Sequence, residues 1–122
     1  MSVVLIVEDD TTVMEVTSLL LEDAGYEVLP AQGIEQALRA AEERPDIDVV
    51  FTDVNLREGL NGIELARVLK ARGSHAAMVV VSGDLGWSDT PLDPDMRFLA
   101  KPYGRKTLLS VVAEACDRTD DR

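Results

Sequence analysis

Four places in this 122-residue chain put acidic, hydroxyl or ammonium side chains at the end of a short apolar run. Glu8, Asp9 and Asp10 follow residues 3–7, and Asp53 closely follows residues 49–51. Ser82 follows residues 78–81, and Lys101 follows residues 97–100. Brought to one place, these acids, a hydroxyl and an ammonium suit phosphoryl transfer to a carboxylate. Acids sharing a cleft repel each other, and a hard divalent cation relieves that repulsion. Mg²⁺ fits best, because it accepts oxygen ligands from few carboxylates and neutralises charge on a transferring phosphoryl group. Asp53 as nucleophile then gives an acyl phosphate, whose other oxygens Lys101 and Ser82 would bind.

Each of these residues has a plainer reading when taken alone. An acid between a strand and a helix is often a helix cap, a role open to Asp10 or Thr12. Asp53 alone reads as a turn residue, Ser82 beside Gly83 as turn chemistry, and Lys101 as a solvated charge. What favours chemistry is their occurrence at corresponding ends of different strands. In open α/β sheets, ligands bind beyond those carboxyl ends, where strand order reverses.

The elements that must place them are legible as apolar runs over residues 3–7, 26–29, 49–51, 78–81 and 97–100. Continuous Val-rich runs suit strands buried on both faces of a parallel sheet. Between them lie helix-period stripes. Val13, Val16, Thr17, Leu20, Leu21 and Ala24 form the first, with Thr12 and Glu15 as a capping box and Gly25 as a stop. Ile34, Ala37, Leu38 and Ala41 form the second, ending near Pro45; Ile63, Ala66 and Leu69 form the third, ending at Gly73. Leu108, Val111, Val112 and Ala115 mark a last helix over about residues 104–117. The alternation predicts a doubly wound α/β fold with a five-stranded parallel sheet and helices on both faces. Residues 83–95 contain Gly83, Gly86, Pro91 and Pro94 and lack an apolar stripe, so the helix between the fourth and fifth strands is expected to be short or missing.

Composition narrows the function classes. The length suits one domain, read as residues 1–118 with a polar tail at 119–122. Apolar residues make up 46% of the chain, enough for a core, but only 4% are aromatic, so Val, Leu, Ile and Ala must fill it. A net charge of −11, with twelve basic residues scattered among twenty-three acidic ones, argues against direct nucleic-acid binding. A lone Cys116 allows neither an internal disulfide nor a thiolate metal site. No run of eighteen apolar residues and no basic leader after Met1 are present, so a cytoplasmic protein that leaves membranes alone is expected.

At these residues the sequence resembles the receiver domains of bacterial two-component response regulators, from about Val3 to Ala115. The motifs are Val-Leu-Ile-Val-Glu8-Asp9-Asp10, Phe-Thr-Asp53, Val-Val-Ser82-Gly83 and Phe98-Leu-Ala-Lys101-Pro102. Singly weak, they are specific in this order and at these separations. The resemblance implies a flavodoxin-like strand order 2-1-3-4-5 and Asp53 as phosphoacceptor. Glu8, Asp9 and Asp53 would hold Mg²⁺ with the backbone carbonyl of Asn55. Ser82 would be the switch hydroxyl, Phe98 the switch aromatic and Lys101 the phosphate-binding lysine, often before a cis proline. Asn55 and Asp84 resemble positions that tune phosphoryl lifetime. The implied function is a phosphorylation-dependent switch, fed by a histidine kinase or histidine phosphotransfer protein and altering affinity for a partner protein. It is not an enzyme turning over a separate substrate; its own chemistry is phosphotransfer and slow autodephosphorylation.

Two features depart from the common pattern. Arg57 stands where receivers usually carry proline, in a loop over residues 56–61 that is one residue longer than usual. With Lys-Pro-Tyr103, this resembles single-domain receivers and those associated with hybrid kinases.

Other readings remain. Glu8-x-Asp10-x-Thr12 imitates the signature of aspartate-nucleophile phosphatases, but Glu replaces the nucleophile and the chain leaves no room for a cap domain. A receiver that binds partners without phosphorylation is a second alternative, opposed by the intact acids and lysine. Nucleotide binding lacks a Gly-rich phosphate loop. His75 reads as a surface residue, Cys116 as inert core, and Trp87 and Met96 as packing against the sheet edge.

Overall fold

The structure is a computed structural model that describes residues 2–56, 61–83 and 94–120, with side chains as far as residue 117. Five strands alternate with helices in the order β1 (Val3–Val7), α1 (Thr11–Asp23), β2 (Glu27–Ala31), α2 (Ile34–Glu43), β3 (Val49–Asp53), α3 (Gly62–Ala71), β4 (Ala77–Ser82), β5 (Arg97–Ala100) and α4 (Arg105–Asp120). All strands pair in parallel, in the order β2-β1-β3-β4-β5. The expected doubly wound sheet and its strand order are therefore present. The chain reverses direction of growth at β1, between β2 and β3, so β1 and β3 open a crevice at their carboxyl ends.

Strand alternation divides the core in two. Leu5, Val50, Met78 and Val80 face α2 and α3. Ile6, Phe51, Val79 and Val81 face α1 and α4, where Leu21, Leu108 and Val112 meet them. β1, β3 and β4 are buried throughout, which is why their sequences are apolar at every position except Thr52 and the terminal Asp53 and Ser82. Met96 belongs to the α2/α3 side of the core, and Cys116 is buried on the other. His75 is exposed, as expected.

Several details differ from the sequence reading. Asp10, not a Thr12–Glu15 box, caps α1: its carboxylate accepts from the amides of Thr12 and Val13 at 3.0 and 3.1 Å. The helix starts at Thr11, which places Thr12 inside it. The buried face of α1 is Met14, Thr17 and Leu21, whereas Val16 is 53% exposed. α1 is apolar around much of its circumference, so periodicity alone left its inward face ambiguous. β2 sits later than residues 26–29 and runs through Pro30, which pairs with Ile6. The last helix continues past residue 117 to Asp120. Residues 84–93, where the helix between the fourth and fifth strands was expected to be short or missing, lie outside the described residues, as do Asp84, Trp87 and Arg57. Four helices stand among the described residues.

Candidate functional site

β1 and β3 end side by side, and their ends deliver the acids. Glu8 follows β1 directly, and its amide donates to the carbonyl of Ala31 on β2 at 3.0 Å. That ladder bond carries the strand geometry one residue further and turns the Glu8 side chain inward, where it is buried. Asp53 closes β3 and is also buried. Carboxylate oxygens of Glu8, Asp9 and Asp53 lie within 4.8 Å of one another.

Lys101 reaches this cluster from the far side of the sheet. Its Nζ donates to Asp53 Oδ2 at 3.0 Å and to Glu8 Oε1 at 3.1 Å. Its backbone amide donates to the carbonyl of Ser82 at 3.0 Å, fixing the end of β5 against the end of β4. The next peptide, Lys101–Pro102, is cis. The other Asp53 oxygen, Oδ1, accepts from the Asn55 amide at 3.1 Å.

Burial sets the electrostatics. It raises the pKa of Glu8 above the ordinary carboxylate value, against the opposing pull of the Asp10 amide and the Lys101 ammonium. Burial alone would lower the pKa of Lys101. Hydrogen bonds to Asp53 and Glu8 outweigh it and hold Lys101 above the usual lysine value, firmly charged. Three carboxylates thus meet one ammonium. Hard oxygen donors in that charge balance fit a small divalent cation, which the cluster could hold.

The structure therefore brings Glu8, Asp9, Asp53 and Lys101 together, with Ser82 buried at the end of the neighbouring strand. Asn55 stands at the rim with its side chain exposed. Phe98 lies on β5 opposite Val80 and is 39% exposed.

Two contributions went unread in the sequence. Gly62 opens α3 directly against β3, where a Cβ would fall 2.1 Å from the carbonyl oxygen of Asp53. Asn61 holds it there through a capping box, accepting from the Glu64 amide at 2.9 Å while Glu64 accepts from the Asn61 amide at 3.1 Å. The Asn61…Glu64 spacing was the available signal for that cap. Thr17 and Tyr103 share a hydrogen bond of 2.8 Å beside the site. No local pattern marks it.

Comparison with known proteins decides the family. Residues 4–113 match the response regulator receiver domain. The chain belongs to that family. This receiver domain is 30% identical over 123 residues to the transcriptional regulatory protein FixJ of Azorhizobium caulinodans, covering 96% of this chain and 56% of FixJ. It is 31% identical over 122 residues to the DNA-binding response regulator MtrA of Mycobacterium tuberculosis, covering 97% of this chain and 52% of MtrA. The chain thus spans about half the length of these curated relatives. Among solved structures, a receiver domain protein from Clostridium thermocellum superposes with a TM-score of 0.88 at 28% identity, covering 98% of each chain. The receiver domain of the hybrid histidine kinase CckA gives 0.81 at 33% identity, over 94% of this chain and 99% of that one. No helix among the described residues is long and apolar enough to cross a membrane.

Proposed function

We propose that this receiver domain is a phosphorylation switch in which Asp53 accepts a phosphoryl group from a phosphohistidine, with Mg²⁺ held by Glu8, Asp9, Asp53 and the Asn55 carbonyl. One observation carries the reading: a single ammonium, Lys101 Nζ, just past the end of β5 and forty-eight positions beyond Asp53, bonds both Asp53 at 3.0 Å and Glu8 at 3.1 Å. Such an arrangement has little structural purpose, since a buried ion pair stabilises poorly, but it places positive charge where a phosphoryl group would arrive.

In the transfer, an Asp53 carboxylate oxygen attacks phosphorus and forms the P–O bond of an acyl phosphate. The P–N bond to the donor imidazole breaks, and its electron pair stays on the imidazole nitrogen. Lys101 exchanges its bond to Asp53 for one to a phosphoryl oxygen, and the Ser82 hydroxyl binds another. The metal ion supplies charge neutralisation at the phosphoryl oxygens. Phe98 on β5 is the aromatic that turns inward when Ser82 is drawn to the phosphate, shifting an equilibrium between two conformations. Asn55, at the rim, and Asp84 set how long the phosphoryl group lasts.

The donor is a histidine kinase or a histidine phosphotransfer protein, and the output is a changed affinity for a protein partner. The DNA-binding description of MtrA is that of a protein about twice as long. The acidic balance of this chain argues against its own contact with nucleic acid. Incubation with a small acyl phosphate and Mg²⁺ should label the wild-type protein, and Asp53→Asn should abolish the label. Label retained in Asp53→Asn would remove Asp53 from this role.

A further inference from the structure

We propose that the buried Thr17 and the half-buried Tyr103 form a hydroxyl pair that positions Lys101 over Asp53, making helix α1 a determinant of phosphoacceptor reactivity; this rests on the reading of Asp53 above. Lys101 has a flexible four-carbon stem, and 27% of its side chain remains exposed. Its backbone is held on one side by the Ser82 carbonyl. Beyond it the chain leaves the sheet through the exposed residues Pro102 and Gly104 before α4 begins. Tyr103 is the anchor between them. Its ring stands edge-on to Phe51, with centroids 6.0 Å apart at 84°. Phe51 lies two residues before Asp53 on the same strand and points to the same face.

The ring contact alone leaves Tyr103 free to slide in its own plane. The hydroxyl removes that freedom, because it bonds Thr17 Oγ1 at 2.8 Å. Thr17 is 2% exposed, on a helix face that otherwise buries Met14 and Leu21. A buried hydroxyl must find a partner, and the partner here is eighty-six residues away, two residues from the site lysine. An apolar residue would fill the Thr17 position as well for packing. Burial also holds the Tyr103 phenol above its usual pKa, so the pair stays neutral. A displacement of Tyr103 therefore passes through two peptide units to Lys101, and from its Nζ to the carboxylate of Asp53.

The test uses Thr17→Val and Tyr103→Phe, which keep the packing and delete one hydroxyl each, together with Thr17→Ser, which keeps the hydroxyl. Each deletion should slow Mg²⁺-dependent labelling by a small acyl phosphate about ten-fold, within the roughly hundred-fold that an ångström of misplacement can cost. The double variant should be no slower than either single one, and Thr17→Ser should label at close to the wild-type rate. In a Lys101→Ala background the same deletions should cost nothing further, an interdependence that a purely structural role would not produce. Wild-type rates in the single variants, or an equal slowing without Lys101, would overturn the proposal. An independent arm needs no label: hydrogen exchange at the Lys101 amide should accelerate in Tyr103→Phe, and unchanged protection would also overturn it. Absence of label in the wild type, or label surviving in Asp53→Asn, would instead count against Asp53 as acceptor.

Discussion

At one position the missing side chain is itself what lets two elements meet. At Gly62 a methyl group would sit 2.1 Å from the Asp53 carbonyl oxygen and 2.9 Å from Thr52 Oγ1. Both are anchored, since the Thr52 hydroxyl donates to that carbonyl at 3.1 Å. Gly62→Ala must push the start of α3 away from β3. It should lower stability in urea by about 1–3 kcal/mol, as overpacking does, and slow labelling of Asp53. Gly104→Ala, where a Cβ meets nothing within 4 Å, loses only glycine's advantage at the start of α4 and should cost about 1 kcal/mol at most. Equal effects at the two glycines would show that the contact is without consequence. Glu8, Asp9, Asp53, Ser82 and Lys101 were legible in the sequence because each ends an apolar run. Gly62 and the Thr17–Tyr103 pair were not, because what they do is defined by neighbours that only folding supplies.

At the scale of elements, the strands were visible and their ends were not. Continuous Val-rich runs revealed β1, β3 and β4, which are buried on both faces. β2 was misplaced because Pro30 reads as a terminator, although it lies within the strand. α1 was found with Thr17 and Leu21 on its buried face, but Val16 is exposed and Met14 is buried instead, since Val13, Met14, Val16, Leu19, Leu20 and Leu21 leave apolar residues on most of its surface. The sheet face and Tyr103 select the buried side. Its cap was open between two residues, and the structure chooses Asp10, in extended conformation with φ −86° and ψ 114°. Asp10→Ala should cost about 1 kcal/mol and Thr12→Ala far less. Urea denaturation of the two variants decides the matter, and a larger loss for Thr12→Ala would restore the capping box.

For the whole molecule, charge is the dominant fact. With a net charge of −11, self-repulsion opposes compaction and salt should relieve it. The acidic cluster adds a local and more selective demand. NaCl should therefore raise the melting temperature modestly, and MgCl₂ at equal ionic strength should raise it further. Site binding contributes about 2.7 kcal/mol when free ion exceeds its dissociation constant a hundred-fold. Asp9→Asn should remove that excess and keep the general salt effect. Identical curves for the two salts would mean that no cation is held at the strand ends.

Pro30 has a further consequence at this scale. The Glu27 amide donates to Ser2 and the Ala31 carbonyl accepts from Glu8, so odd-numbered positions of β2 face β1 and even-numbered ones face outward. Pro30 is thus an outward position that has no N–H to offer. Another chain seeking to extend the sheet on this side would find a rung missing at the fourth residue of a five-residue border. Such a border discourages the permanent strand-by-strand stacking that leads to aggregates.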